Sequence, residues 1–99
     1  FFAGKVVIVT GSSNGIGRGT AVLFAKAGAK VTITGRNAAT LTETKNLCLK
    51  AGAREADLLE LIGDITDEAF LEKLVASTVA KFSRIDVLVN NAGGASFAH

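Results

Sequence analysis

The sequence predicts an open, doubly wound α/β sheet of four parallel strands in the order 3-2-1-4, with three helices. Three observations carry that prediction. Short runs rich in β-branched residues alternate with segments whose apolar residues recur at helical spacing, and the connections between them are only a few residues long. A cluster of glycines and small polar residues, Gly11 to Gly17, lies between the first such run and the first helical segment. A ligand loop there belongs at the point where strand order reverses, which places strand four beside strand one. Finally, 99 residues that are 48% apolar and 20% charged make one modest core, and the absence of Pro leaves no rigid linker to divide it.

Each element follows in order. Lys5-Val-Val-Ile-Val-Thr10 is apolar without interruption, the pattern of a strand buried on both faces. Ile16, Thr20, Leu23, Phe24 and Ala27 recur at helical spacing and predict the packed face of the first helix, with Gly28 as its stop. Lys30-Val-Thr-Ile-Thr34 is a second strand, closed by Gly35. Asn37 can cap a helix running to about Lys50, ended by Gly52. The stretch from Arg54 to Gly63 has helical propensity in Glu55-Ala-Asp-Leu-Leu-Glu-Leu61, yet Leu58 to Ile62 also fits a strand. The alternation of elements decides for the strand. Thr66-Asp-Glu opens the third helix with acids near the positive end of its dipole. Leu71, Leu74, Val75, Thr78, Val79 and Phe82 predict its apolar face. Ile85-Asp-Val-Leu-Val-Asn90 is the last strand.

Composition excludes several classes. A net charge of +2 provides no strong pull toward nucleic acid or an anionic membrane surface. The single cysteine rules out an internal disulfide framework and a multi-cysteine zinc site, and no metal site is expected. No apolar run approaches the roughly 20 residues of a membrane helix. The sequence contains no Met, so the chain is expected to be trimmed or cut from something longer.

The chemistry sits in the turn Gly11-Ser-Ser-Asn-Gly-Ile-Gly17, between a buried strand and a helix. Glycines there let backbone approach a pyrophosphate, and the helix N-terminus offers free N–H groups and partial positive charge. The spacing is Gly-x3-Gly-x-Gly; no Gly-Lys-Ser/Thr follows, which excludes a P-loop. Gly11, Ser12, Ser13, Asn14, Gly15, Ile16 and Gly17 are therefore candidate dinucleotide contacts. An NAD site places an acid at the end of the second strand, about 20 residues on, to grip the ribose 2′-hydroxyl. Here Gly35 stands at that position and Arg36 follows it. A guanidinium can take a 2′-phosphate through paired charge-assisted hydrogen bonds, which favours NADP(H) over NAD(H), with Asn37 adding a hydrogen bond. A solvated surface charge is the other reading of Arg36. Arg18, in the first turn of the helix, is a second basic residue near the phosphates and equally a solvent-facing one.

With these residues the chain resembles the short-chain dehydrogenase/reductase family. Thr10 to Gly17 looks like its cofactor loop, Asn90-Asn-Ala-Gly93 like its second signature and Gly63-Asp-Ile-Thr66 like its third, each after its own strand. The resemblance covers almost the whole chain but less than half of the family's domain. It implies a Rossmann-like sheet, with residues 1–99 forming the N-terminal part of a single NAD(P)-binding domain whose catalytic part is absent. It implies that Asp64 bonds the adenine and Ile65 packs on the ring; a loop acid or local cap is the alternative for Asp64. Asn90 would tie neighbouring strands, Ala92 and Gly93 would line the ribose side, and Asn91 is a further candidate cofactor contact. The family's Tyr-x3-Lys pair, with a Ser before it, has no counterpart, because the sequence contains no Tyr. No catalytic residue is expected here: Ser77 and Ser83 lie away from the ligand edge, Ser96 does not match the family serine, His99 is terminal, and Cys48 is a small apolar helix residue. The expected function is the NADP(H)-binding half of an oxidoreductase that moves hydride between the cofactor and a hydroxyl/carbonyl substrate. A non-catalytic dinucleotide-binding module is the alternative. A different doubly wound protein, such as a methyltransferase, would want an acid where Gly35 and Arg36 stand. A homo-oligomeric, cytoplasmic parent without nucleic-acid or membrane partners completes the expectation.

Overall fold

The computed structural model describes residues 2–91. Its strands β1 (Val6–Thr10), β2 (Lys30–Gly35), β3 (Leu58–Ile62) and β4 (Val87–Asn90) form one parallel sheet in the order β3-β2-β1-β4. Helices α1 (Gly15–Lys26), α2 (Ala38–Lys50) and α3 (Glu68–Phe82) connect them. The sheet order and the alternation are those predicted. The ambiguous stretch divides: Glu55–Asp57 forms a single 3₁₀ turn and Leu58–Ile62 a strand. β4 begins two residues later than the apolar run, at Val87. Before it, the Asp86 carboxylate accepts from the Val6 N–H (2.8 Å) and the Asp86 N–H donates to the Val6 carbonyl (2.9 Å), so a side chain occupies part of the ladder.

Strand β1 is buried along its whole length. Register fixes its two faces. Val7 and Val9 pair with Val31 and Ile33 beneath α1 and α2, together with Leu41, Cys48 and Leu58. Ile8 pairs with Thr32, whose hydroxyl meets Thr78 of α3 at 3.0 Å, so α3 covers the opposite face. Thr78 passes its own proton to the Leu74 carbonyl at 2.8 Å, which satisfies a buried polar pair inside an apolar layer.

Two predicted helix faces are corrected. On α1 the buried residues are Gly17, Ala21 and Ala25, whereas Ile16 is 77% and Leu23 70% exposed. Both stripes have helical spacing, but only the small one lets the helix lie close against the strands. Phe24 stays half-buried and meets Phe2 edge-on, with ring centroids 5.0 Å apart. On α3 only Leu74, Thr78 and Phe82 are buried; Leu71, Val75 and Val79 are 38%, 42% and 43% exposed. The predicted caps agree more closely. Asn37 accepts from the Thr40 N–H (3.2 Å) at the start of α2, and Asp67 accepts from Ala69 (3.0 Å) at the start of α3. Among the described residues, no helix is long and apolar enough to cross a membrane.

Candidate functional site

The C-terminal ends of β1, β2 and β3 open on one cleft of about 650 Å³. The β1–α1 loop contributes Gly11, Ser13 and Asn14. The end of β2 and the start of α2 contribute Thr34, Gly35, Arg36, Asn37 and Thr40, and the turn after β3 contributes Gly63, Asp64, Ile65 and Thr66. Three stretches distant in sequence therefore meet at the strand ends, the ligand side of a parallel sheet.

Close packing shapes the loop. Gly11 turns it with φ +61°. Gly17 lies directly beneath: a Cβ there would stand 2.0 Å from the Gly11 carbonyl oxygen. The first turn of α1 can approach the loop only because that position is bare. Ser12 is fully buried and faces the sheet. Its hydroxyl donates toward the Val9 carbonyl (2.9 Å) and accepts from the Thr34 N–H (3.0 Å), and its own N–H donates to the Thr34 carbonyl (3.0 Å). Ser12 thus clasps β1 to β2 and is absent from the cleft wall, unlike its neighbour Ser13.

Among the described residues, Ser13 has no hydrogen-bond partner for its buried hydroxyl, and neither has Thr34, which is 1% exposed. A Cβ on Gly35 would stand 1.9 Å from that Ser13 hydroxyl, so the hydroxyl fills the space a side chain on residue 35 would need. Asn14 precedes α1 with extended backbone, but its side chain makes no capping bond, and the first turn holds no acid. The N-terminal N–H groups of α1 are left uncapped by side chains, in contrast with α2 and α3.

Asp64 folds back on its own turn, accepting from the Thr66 N–H (2.9 Å) and hydroxyl (2.7 Å). The backbone N–H and hydroxyl of Thr66, with a smaller contribution from the Arg36 charge across the cleft, hold the carboxyl below its ordinary value. The local-cap reading of Asp64 therefore describes one of its carboxylate oxygens, and the residue also lines the cleft. Phe70 packs on Gly63, where a Cβ would lie 2.3 Å from the ring. Arg36 is exposed and makes no hydrogen bond or salt bridge among the described residues.

Residues 5–99 match the family model described as short chain dehydrogenase. The chain belongs to the short-chain dehydrogenase family. It is 53% identical to the apo glucose dehydrogenase of Caenorhabditis elegans, superposing with a TM-score of 0.91 over 95% of this chain and 40% of that one. A short-chain dehydrogenase/reductase of unknown function from the same organism, solved with cofactor, is 49% identical with a TM-score of 0.85, over 88% of this chain and 32% of that one. The levodione reductase of Leifsonia aquatica is 39% identical over 93% of this chain and 34% of its own length. The chain thus spans about a third of the length of the curated relatives it matches.

Within this short-chain dehydrogenase sheet, Gly11, Ser13, Asn14, Arg36, Asn37, Asp64 and Ile65 are brought together in the cleft wall. Gly15 and Ile16 stand exposed on the first turn of α1, outside that wall, and Gly17 is buried under Gly11. Asn91 donates its N–H to the Thr10 hydroxyl (3.0 Å), and Thr10 donates to the Asn90 side-chain oxygen (2.8 Å), which ties β4 to β1. Ala92 and Gly93, with Ser96 and His99, lie outside the described residues. Cys48 is fully buried, and burial pushes its thiol up to about 11, which leaves it inert as a nucleophile. Sequence reasoning missed Thr34 and Thr40, which line the cleft, and Thr44 behind it, and gave Thr66, within the third signature, no role of its own. Threonines at strand ends and in first helical turns carry no spacing signal. It also left Arg18 open as a surface charge. The structure turns that side chain inward, onto Ser13, Thr40 and Thr44.

Proposed function

We propose that this chain binds NADP(H), in preference to NAD(H), as the N-terminal part of an oxidoreductase acting on a hydroxyl/carbonyl pair. The observation that carries the reading is the end of β2. Gly35 stands where a ribose 2′-hydroxyl would require an acid, with its bare Cα against the Ser13 hydroxyl, and Arg36 beside it lines the cleft and makes no hydrogen bond or salt bridge among the described residues. A dinucleotide also fits what the cleft leaves open. Among the described residues, Ser13 and Thr34 have buried hydroxyls without partners, and α1 presents N–H groups that no side chain caps. Gly11, Ser13, Asn14 and the first turn of α1 would hold the pyrophosphate, Arg36 and Asn37 the 2′-phosphate, and Asp64 and Ile65 the adenine. A bound nicotinamide cofactor supplies the hydride; the residues of this chain bind and orient it. A related polyketide ketoreductase, 34% identical with a TM-score of 0.82 over 90% of this chain and 33% of that one, was solved with NADPH, which supports the reading.

Equilibrium titration with NADPH and NADH tests it. NADPH is expected to bind more tightly. Arg36→Ala removes a charge-assisted contact of about 1.5–3 kcal/mol, so NADPH affinity falls roughly tenfold to a hundredfold while NADH affinity hardly changes. Equal affinities in the unaltered protein overturn the assignment.

A further inference from the structure

Arg18 stands behind the cleft wall, not in it. Its guanidinium divides three ways: Nη2 donates to the Ser13 carbonyl (2.6 Å) and the Thr40 carbonyl (2.8 Å), and Nε donates to the Thr44 hydroxyl (2.9 Å). The first acceptor belongs to the β1–α1 loop and the other two to α2. Thr44, fully buried, passes its own proton back to the loop at the Ser12 carbonyl (2.7 Å). One side chain therefore braces the loop against the first turns of α2. Both residues whose carbonyls it holds, Ser13 and Thr40, line the same cleft as Arg36 and Asn37. Ser13 is the sensitive member, because its unpartnered hydroxyl fills the space beside Gly35.

We infer that Arg18 is a positioning residue for cofactor discrimination, fixing Ser13 relative to α2 so that Arg36, Asn37 and Thr40 are spaced to receive a 2′-phosphate that Arg18 itself does not touch. The inference rests on the NADP(H) reading above. It depends on the planar fork of a guanidinium, since a lysine ammonium keeps the charge but not three bonds in fixed directions.

The experiment compares NADPH and NADH affinity, together with thermal stability, in the unaltered protein and in Arg18→Lys, Arg18→Gln, Thr44→Val and Arg36→Ala. Both Arg18 variants are expected to lose NADPH affinity about fivefold more than NADH affinity, with lysine failing to rescue, and Thr44→Val shifts the ratio in the same direction. If the two affinities fall together, or stability alone falls, Arg18 is a structural brace and the inference is overturned. It is also overturned if Arg18→Lys keeps the full preference while Arg18→Gln loses it, since charge alone would then suffice. Should Arg18→Gln fail to fold, Arg18→Lys and Thr44→Val still decide the question. The two readings separate cleanly. No preference in the unaltered protein sinks the NADP(H) assignment itself. A preference lost in Arg36→Ala but intact in the Arg18 variants sinks only the role of Arg18.

Discussion

At the scale of single residues, the site is shaped by atoms that are missing. Gly17 and Gly35 both lack a Cβ where one would collide, but the obstacles differ in kind. At residue 17 the nearest atoms are the Gly11 carbonyl oxygen at 2.0 Å and carbon at 2.7 Å, so the backbone of the loop would have to move. At residue 35 the obstacle is a hydroxyl that can rotate, with the Ser13 Cβ next at 3.2 Å. Gly17→Ala should therefore destabilise by about 2–3 kcal/mol, near the upper end of the usual cost of overpacking, and Gly35→Ala by clearly less. Ser13→Gly should recover most of the Gly35→Ala loss and none of the Gly17→Ala loss. Denaturant unfolding of the four variants measures this, and equal costs for the two alanines would contradict the geometry. The same asymmetry bears on cofactor choice. An acid introduced at residue 35 meets Ser13 before it can reach a ribose, so that substitution alone is a poor route to NAD.

At the scale of elements, strand order was legible and packing faces were not. Alternation fixed four strands and three helices, and the glycine-rich turn fixed the point of reversal, because both are matters of pattern. The buried stripe of α1 escaped because Gly17, Ala21 and Ala25 contribute little hydrophobicity; their role is proximity. The stop of α3 escaped because Ser83 takes the left-handed conformation, φ +73°, where a glycine would have been readable. Of the candidate site, the loop and the turn after β3 were legible from their glycines and acids. The threonines and Arg18 were not, since their roles arise from side-chain bonds across the fold. The bond from the Val6 N–H to the Asp86 carboxylate, just ahead of β4, was equally hidden, and it predicts a pH dependence. The Val6 N–H, then Arg84, whose guanidinium lies 2.6 Å from the Asp86 carboxylate, hold the Asp86 carboxyl below its ordinary value, with Lys5 adding a smaller pull. A carboxyl depressed in the folded state contributes stability that is present above its unfolded pKa, about 3.9, and lost as pH falls through the lower folded value. Asp86→Asn should thus be less stable than the unaltered protein at neutral pH, and the gap should close under acid. Unfolding curves from pH 7 to pH 2 measure it; a gap that stays constant throughout removes Asp86 as the cause.

At the scale of the whole molecule, the described residues form a core and a cleft at the strand ends. The sequence has no Tyr, so nothing in it matches the proton donor that the family resemblance implies beside the nicotinamide. The polypeptide prepared as these 99 residues is therefore expected to bind NADPH without oxidising it in the presence of ketones. Its surface predicts a second property. β4 pairs only with β1 among the described residues, which leaves a row of backbone donors and acceptors along its outer side. Val87, Leu88 and Val89 carry neither charge nor Pro to discourage pairing there. On the same side of the sheet as α3, Leu71, Val75 and Val79 expose a row of apolar side chains. An unpaired apolar strand and an uncovered helix face both favour contact between copies or with a polypeptide that supplies more of the sheet. Light scattering should therefore rise with concentration, and Val79→Lys, which charges the exposed row on α3, should reduce that rise while leaving NADPH affinity unchanged. Measurable NADPH turnover above the buffer rate would overturn the first expectation, and a monodisperse monomer at high micromolar concentration would overturn the second.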